Sequence, residues 1–340
     1  MRKIWIEAAL NGAWTRALQP GIPDTIDAIV AEGVVCARAG AAIIHTHAYD
    51  GGGPQTFDWQ IYARIIEGIR AQVDVAVYPS YPPIQTTDIN GAVHFAAVAV
   101  RFAHIEALAA RGLLEFAVID PGSVNFTQVA TTSDARPAGT YMNPESHVRH
   151  ALDFAARHGL HPAFAIYEPG FARAGAALAR VAGVKTPIYR FMFCETFAIG
   201  FPPKPYALAA HLALLREQPG PAHWMVAGVC ADIRHLIGEA VAQGGHIRVG
   251  LEDAPAGDSN EQSRHGRGSG ADGARLRRRA CLGHRYAMRA RRVIRSPATM
   301  KTTASLTGTH PTTRRLPARS AAGRLLLPER QLPARASERT

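Results

Sequence analysis

The sequence predicts an α/β fold, a (β/α)8 barrel of the TIM type, on three observations. Eight short apolar runs recur between residues 4 and 251, seven helix-like segments separate them in strict alternation, and several of the runs are apolar throughout. A strand that is apolar on both faces belongs to a parallel sheet covered on both sides. Eight strands alternating with helices favour closure into a barrel over the alternative, an open doubly wound sheet.

The strands fall near 4–10, 42–47, 73–80, 114–120, 163–168, 188–194, 223–228 and 246–251. Together they are rich in Val, Ile, Phe and Tyr, the residues that fit a pleated surface. The first helix opens at Pro23-Asp24 and runs to Ala39, where Gly40 ends it. Further helices are expected over 59–71, 92–111, 144–158, 172–182, 205–217 and 232–243. Gly112 closes the third and Gly244-Gly245 the last, while Pro or Asp opens several. Proline fits the first helical position and glycine the residue just past the end, so this punctuation marks helix boundaries.

An eighth helix should follow the eighth strand, and the sequence offers none. After SNEQ at 259–262 the composition changes within one residue to Arg, Gly, Ser and Pro with no sustained apolar period. Residues 1–262 are therefore read as the catalytic barrel and 263–340 as a disordered basic tail. Charge divides the same way. Residues 1–260 carry 19 Lys+Arg and 23 Asp+Glu, a net of −4. That leaves 19 of the 38 basic residues and 4 of the 27 acidic ones to residues 261–340, a net of +15. The chain's +11 thus belongs wholly to its end. So abrupt a change, into Arg-rich text, is what a shifted reading frame produces, and the product of such a gene can be inactive. The rival reading is a genuine basic tail that binds nucleic acid or an acidic partner, against which stand arginines without interleaved aromatics and the lack of a recognised fold.

Four cysteines lie far apart without CxxC spacing, so reduced thiols in a cytoplasmic protein are expected rather than disulfides or a thiolate metal site. Glu7 interrupts the first apolar run, which argues against a signal peptide. The richest apolar stretch, 92–108, carries His94, Arg101, His104 and Glu106, so no membrane span is expected.

The sharpest chemical signal is His45-Thr46-His47. Residues at i and i+2 of a strand point to the same face, and these two sit at the carboxyl end, where barrel enzymes place their sites. Two neutral imidazoles on one face can share one zinc ion; they can equally be a hydrogen-bonded pair in a polar barrel mouth. Glu252-Asp253 closes the eighth strand, which in a closed barrel neighbours the first, and the first neighbours the second. Glu252 can then face the histidines, completing a His2Glu set with an open position. Arg248, four residues back on the same face, is costly inside a barrel unless paired, which favours a charged site. Ser80, Asp120, Glu168 and Glu195 also fall at or just past strand ends, and DPGSVN at 120–125 offers turn donors and the Asn125 amide.

Five motifs in order, AALNG at 8–12, AGAAIIHTH at 39–47, GSVN at 122–125, WMVAG at 224–228 and GGHIRVGLED at 244–253, resemble the β-keto acid cleavage enzyme family, which includes the 3-keto-5-aminohexanoate cleavage enzymes. The resemblance covers 1–262. It implies a zinc-dependent acyltransferase, a homo-oligomer, that converts a β-keto acid and acetyl-CoA into acetoacetate and a new acyl-CoA. A zinc aldolase or lyase on the same barrel is the alternative. The resemblance assigns Zn2+ to His45, His47 and Glu252, makes Asp253 the general base and Arg248 its anchor, and gives Ser80 a substrate contact; Asn125 and Trp14 complete the substrate set. On chemical grounds, a base near the metal is expected to take its proton from the acetyl-CoA methyl group. Members acting on the aminohexanoate carry acids where this chain has Trp14 and Ala165, so a different keto acid is expected here.

Overall fold

The computed structural model describes residues 3–13, 16, 19–87, 93–128 and 139–253. Eight parallel strands form its centre: β1 (Ile6–Ala9), β2 (Ile43–Thr46), β3 (Ala76–Pro79), β4 (Phe116–Ile119), β5 (His161–Ile166), β6 (Ile188–Cys194), β7 (His223–Val229) and β8 (His246–Gly250). They are hydrogen-bonded in the order β3-β2-β1-β8-β7-β6-β5-β4. The edge strands β3 and β4 lie against each other without a ladder, so the barrel is nearly closed. β1 pairs with β2 on one side (Ala9 beside His45) and with β8 on the other (Ala9 beside Gly250). That register carries the chemistry, because it sets the ends of β2 and β8 on either side of one short strand.

Seven α-helices occur among the described residues: α1 (Ile26–Ala39), α2 (Trp59–Arg70), α3 (Val98–Ala109), α4 (Glu145–Arg157), α5 (Pro169–Ala182), α6 (Pro205–Arg216) and α7 (Ile237–Ala242). α1 starts at Thr25, whose side chain accepts the Ala28 N–H, rather than at Pro23-Asp24. It ends where Gly40 turns left-handed (φ 106°). The helices pack apolar stripes onto the barrel. On α2 the stripe is Tyr62, Ile65, Ile66 and Ile69, all buried, and each such side chain contributes roughly 1.5–3 kcal/mol.

Two helices depart from expectation. The segment read as one helix over 92–111 contributes Val93–Phe95 to a hairpin with Gln85–Thr87, and α3 begins only at Val98. Ala97 is extended (φ −61°, ψ 144°), so the helical pattern was extrapolated too far into a β-rich stretch. The helix expected over 232–243 begins with a 3-10 turn, Arg234–Leu236, and α7 holds six residues. Asp232 accepts the Arg234 N–H at 2.9 Å and tightens that start. No helix among the described residues is long and apolar enough to cross a membrane. The tail over 263–340, with the question of an eighth helix, lies outside the described residues, as do Trp14 and Cys281.

The inside of the barrel is ionic. Glu7 on β1, Arg190 on β6 and Arg248 on β8 are each at most 2% exposed. On β6 the alternation is visible: Phe191 and Phe193 face outward onto His211 of α6, while Arg190 and Met192 face inward. Buried ions of one sign are tolerable only beside the other, and Glu7 lies 2.8 Å from Arg248 and 3.7 Å from Arg190.

Candidate active site

The carboxyl ends of the strands enclose a cavity of about 450 Å³. His45 on β2, His47 one residue past it and Glu252 in the turn after β8 line one side. Glu252 and Asp253 thus sit beyond the strand, not at its end as expected, because β8 stops at Gly250. A Cβ on Gly250 would come 1.9 Å from the Ala9 carbonyl oxygen, so only glycine lets β8 leave β1 here. Gly12 has the same role opposite: its φ is +65°, and a Cβ there would meet Glu252 Cγ at 2.6 Å.

Glu252 Oε2 lies 3.3 Å from His45 Nε2, and Oε1 lies 3.4 Å from His47 Nε2. One ligand atom from each of the three falls within 4.8 Å of the others. His45 and His47 are 2% and 7% exposed, and His47 Nε2 is buried without a hydrogen bond among the described residues. An orphaned imidazole nitrogen facing a carboxylate is costly in a bare protein and suits a metal ligand. The fit extends outward. His47 Nδ1 lies 2.7 Å from the Gln55 side-chain amide, which can fix the ring's tautomer. Asn11 clamps the backbone: its Oδ1 accepts the His47 N–H at 2.9 Å, and its Nδ2 donates to the His47 and Pro23 carbonyls at 3.0 Å. The donor set therefore suits a metal ion such as zinc.

Arg248 binds the neighbouring carboxylates. Its Nη2 lies 2.9 Å from Asp253 Oδ1 and 3.1 Å from Glu252 Oε2, and Nε donates to both Asp253 oxygens at 3.1 and 3.2 Å. The turn itself is held just past β7, where Cys230 N–H donates to the Asp253 carbonyl at 2.7 Å. Cys230 adopts φ 51°, the one left-handed non-glycine among the described residues, so strain is concentrated beside the site. Burial pushes the Asp253 carboxyl up to about 7 against the pull of Arg248. For Glu252 burial acts upward as well, but the His45 and Arg248 charges outweigh it and hold the carboxyl well below its usual range. Glu7 is lowered in the same way, chiefly by Arg248 and then Arg190.

A second polar group stands across the cavity. Asp120 follows β4; its Oδ2 accepts the Tyr141 hydroxyl at 2.7 Å and its Oδ1 the Ala165 N–H at 3.3 Å. Arg190 Nη2 lies 3.9 Å from it. Arg190 also donates to the Tyr78 hydroxyl at 2.8 Å, and Tyr78 donates to Glu7 at 2.5 Å. Sequence reasoning missed Glu7, Asn11, Tyr78, Tyr141 and Arg190. Two of them left a signal, since Glu7 and Arg190 are charged residues inside otherwise apolar strands.

The structure brings His45, His47, Ser80, Arg248, Glu252 and Asp253 to this one cavity. Ser80 follows β3, and its carbonyl accepts from His104 Nε2 at 2.8 Å. Asn125 is elsewhere: it is exposed, accepts the Thr140 hydroxyl at 2.7 Å, and does not line the cavity. Glu168 accepts the Gly200 N–H at 2.9 Å, exposed Glu195 lies 4.0 Å from Lys204, and neither lines the cavity.

Residues 3–267 match the family described as beta-keto acid cleavage enzyme, somewhat beyond the expected limit of 262. A 3-keto-5-aminohexanoate cleavage enzyme of Fusobacterium nucleatum is 27% identical over 257 residues, covering 74% of this chain and 83% of that protein. A 3-dehydrocarnitine:acetyl-CoA trimethylamine transferase of Rhizobium meliloti is 25% identical over 275 residues, with 74% and 83% covered. Among solved structures, ObcA in complex with oxaloacetate superposes with a TM-score of 0.51 at 17% identity, covering 69% of this chain and 58% of that one. That likeness shows the fold alone, and this chain spans less than two thirds of ObcA.

Proposed function

Because this chain belongs to the β-keto acid cleavage enzyme family, we propose that it exchanges acyl groups between a β-keto acid and acetyl-CoA, releasing acetoacetate and a new acyl-CoA. One observation carries the reading: the His45, His47 and Glu252 ligand set and the Arg248-held Asp253 face one cavity. The acetyl-CoA relative from Rhizobium meliloti supports the choice of acyl donor.

Atom balance fixes which bonds form and break. In R–CO–CH2–COO⁻ + CH3–CO–SCoA → R–CO–SCoA + CH3–CO–CH2–COO⁻, the carboxymethyl unit changes its acyl partner. C2 of the keto acid must therefore lose a proton and attack the acetyl carbonyl carbon as the acetyl C–S bond breaks. The CoA thiolate then adds to the original ketone carbon, and the C2–C3 bond breaks. The proton that leaves is on C2 of the keto acid, not on the acetyl methyl group, which corrects the expectation of an acetyl-methyl enolate. Zinc bound by His45, His47 and Glu252 supplies Lewis-acid polarisation of the keto acid's oxygens.

Asp253 is the base that takes the C2 proton and returns it to acetoacetate. Arg248 holds it bidentately, so its carboxylate enters the reaction already oriented. The Arg248 charge also stabilises oxyanion character as the carbonyl carbons turn tetrahedral. Ser80, on the rim beside β3, contacts the substrate. The test is formation of acetoacetate and acyl-CoA in equal amounts by the zinc-loaded chain. Both should disappear in Glu252→Gln as its zinc content falls. Cleavage of the keto acid without an acyl-CoA product would instead make this a lyase.

A further inference from the structure

The cavity walls differ in a way that selects the substrate's tail. The ionic wall holds the triad, Arg248 and Asp253. Facing it, Ala165 of β5, Met192 of β6 and Ala227 of β7 form an apolar cluster of their own, joined by Tyr167 and Val229 and separate from the main core. Ala165 and Met192 line the cavity together with Phe126, Phe197 and Val229.

Among the described residues, two charged groups stand near this wall, and both are engaged. Asp120 is 5% exposed, with one oxygen accepting from Tyr141, the other from the Ala165 backbone, and Arg190 3.9 Å away. Arg190 is 2% exposed and donates to Tyr78 and to the Ala163 and Phe164 carbonyls, with Glu7 3.7 Å away. A ligand ammonium would have to strip Asp120 from these partners, and a ligand carboxylate would meet no unengaged cation among the described residues. Either charge would lose its water beside methyl, thioether and phenyl groups without a counter-charge, which is the costly case.

Resting on the acyl-exchange reading, we propose that the preferred β-keto acid carries an uncharged, apolar tail, seated on Ala165, Met192 and Val229, and that Met192 sets its length. The β-carboxylate and ketone lie toward the triad, and the tail crosses the cavity to the β5–β7 side. Met192 closes the depth of that side, and shortening it makes room for further methylenes.

The test uses the full-length, zinc-loaded chain and four 3-keto acids of similar length whose tails end in methyl, isopropyl, ammonium or carboxylate. Dissociation constants by calorimetry come first, then kcat/KM with acetyl-CoA. The apolar tails should bind at least about 10-fold more tightly than the charged ones, a difference of about 1.4 kcal/mol. Met192→Ala should move the optimum to tails two or three carbons longer, while wild type falls off there. Charged tails binding as tightly as apolar ones, or no preference among the four, overturns the proposal whatever the turnover. Preferential binding of apolar keto acids with no acyl-CoA formed upholds the tail assignment and defeats the acyl-exchange reading instead. A Met192→Ala chain with unchanged length preference removes Met192 from the assignment.

Discussion

Glu252 reaches its position because two residues on a neighbouring strand end make way for it. Gly12 leaves the space its side chain needs, and Asn11 ties down the histidine it faces. The histidine pair and the carboxylate were legible in the sequence, since period-2 geometry and barrel order suffice to bring them together. Asn11 was quoted within a motif, but its role was not legible, because its partner His47 lies 36 residues away. The same holds for Tyr78, bonded to Glu7 across 71 residues and to Arg190 across 112. Asn125 shows the converse: a polar residue in a glycine-containing turn near a strand end, yet exposed and away from the cavity. Asn11→Ala should free the His47 backbone and lower zinc affinity roughly 10- to 100-fold, as loss of an outer-shell partner does. Competition against a chromophoric chelator measures this. Unchanged affinity would mean that His47 is held by other contacts.

At the scale of elements, the strands were legible because each is a short apolar run, and β6 was found with its observed limits. The third helix was overextended because Ala and Val serve helix and strand alike, and only pairing with Gln85–Thr87 decides the case. Helix α6 carries a feature no periodicity reveals. His211 is 1% exposed, stacks on Phe191 at 4.5 Å, and finds no hydrogen-bond partner for either ring nitrogen among the described residues. Burial pushes it from 6.5 down to about 4, and His104 on α3 likewise. The folded pKa is the lower one, so the unfolded chain takes up the proton first. Stability present above pH 6.5 is therefore lost as pH falls toward 4, by on the order of 3 kcal/mol for each fully buried histidine. His211→Leu should be at least as stable as wild type at pH 7 and should lose less between pH 6.5 and 4, by urea denaturation at each pH. An identical pH slope in the variant would show that His211 is not neutral in the fold.

On the scale of the whole molecule, the barrel was legible because alternation is a property of the entire chain from β1 to β8, insensitive to errors at any one boundary. The closed order β2-β1-β8 then gave the site its two halves. What sequence alone conveys about the remainder is charge. Residues 261–340 carry a net of +15. We propose that the segment from 263 onward stands apart from the folded enzyme and derives from a shifted reading frame. Limited proteolysis should cut it first, leaving a fragment that ends near Gln262; a resistant full-length chain would defeat this. The central claim concerns the exchange reaction itself, and its most direct test is carbon-13 NMR of the zinc-loaded chain. The substrates are an unlabelled β-keto acid and acetyl-CoA labelled at the acetyl carbonyl carbon. The account predicts acetoacetate labelled at C3 and an equal amount of unlabelled acyl-CoA, both lost in Glu252→Gln. Acetoacetate labelled at C1, unlabelled acetoacetate, or keto acid cleavage with no acyl-CoA formed would contradict it.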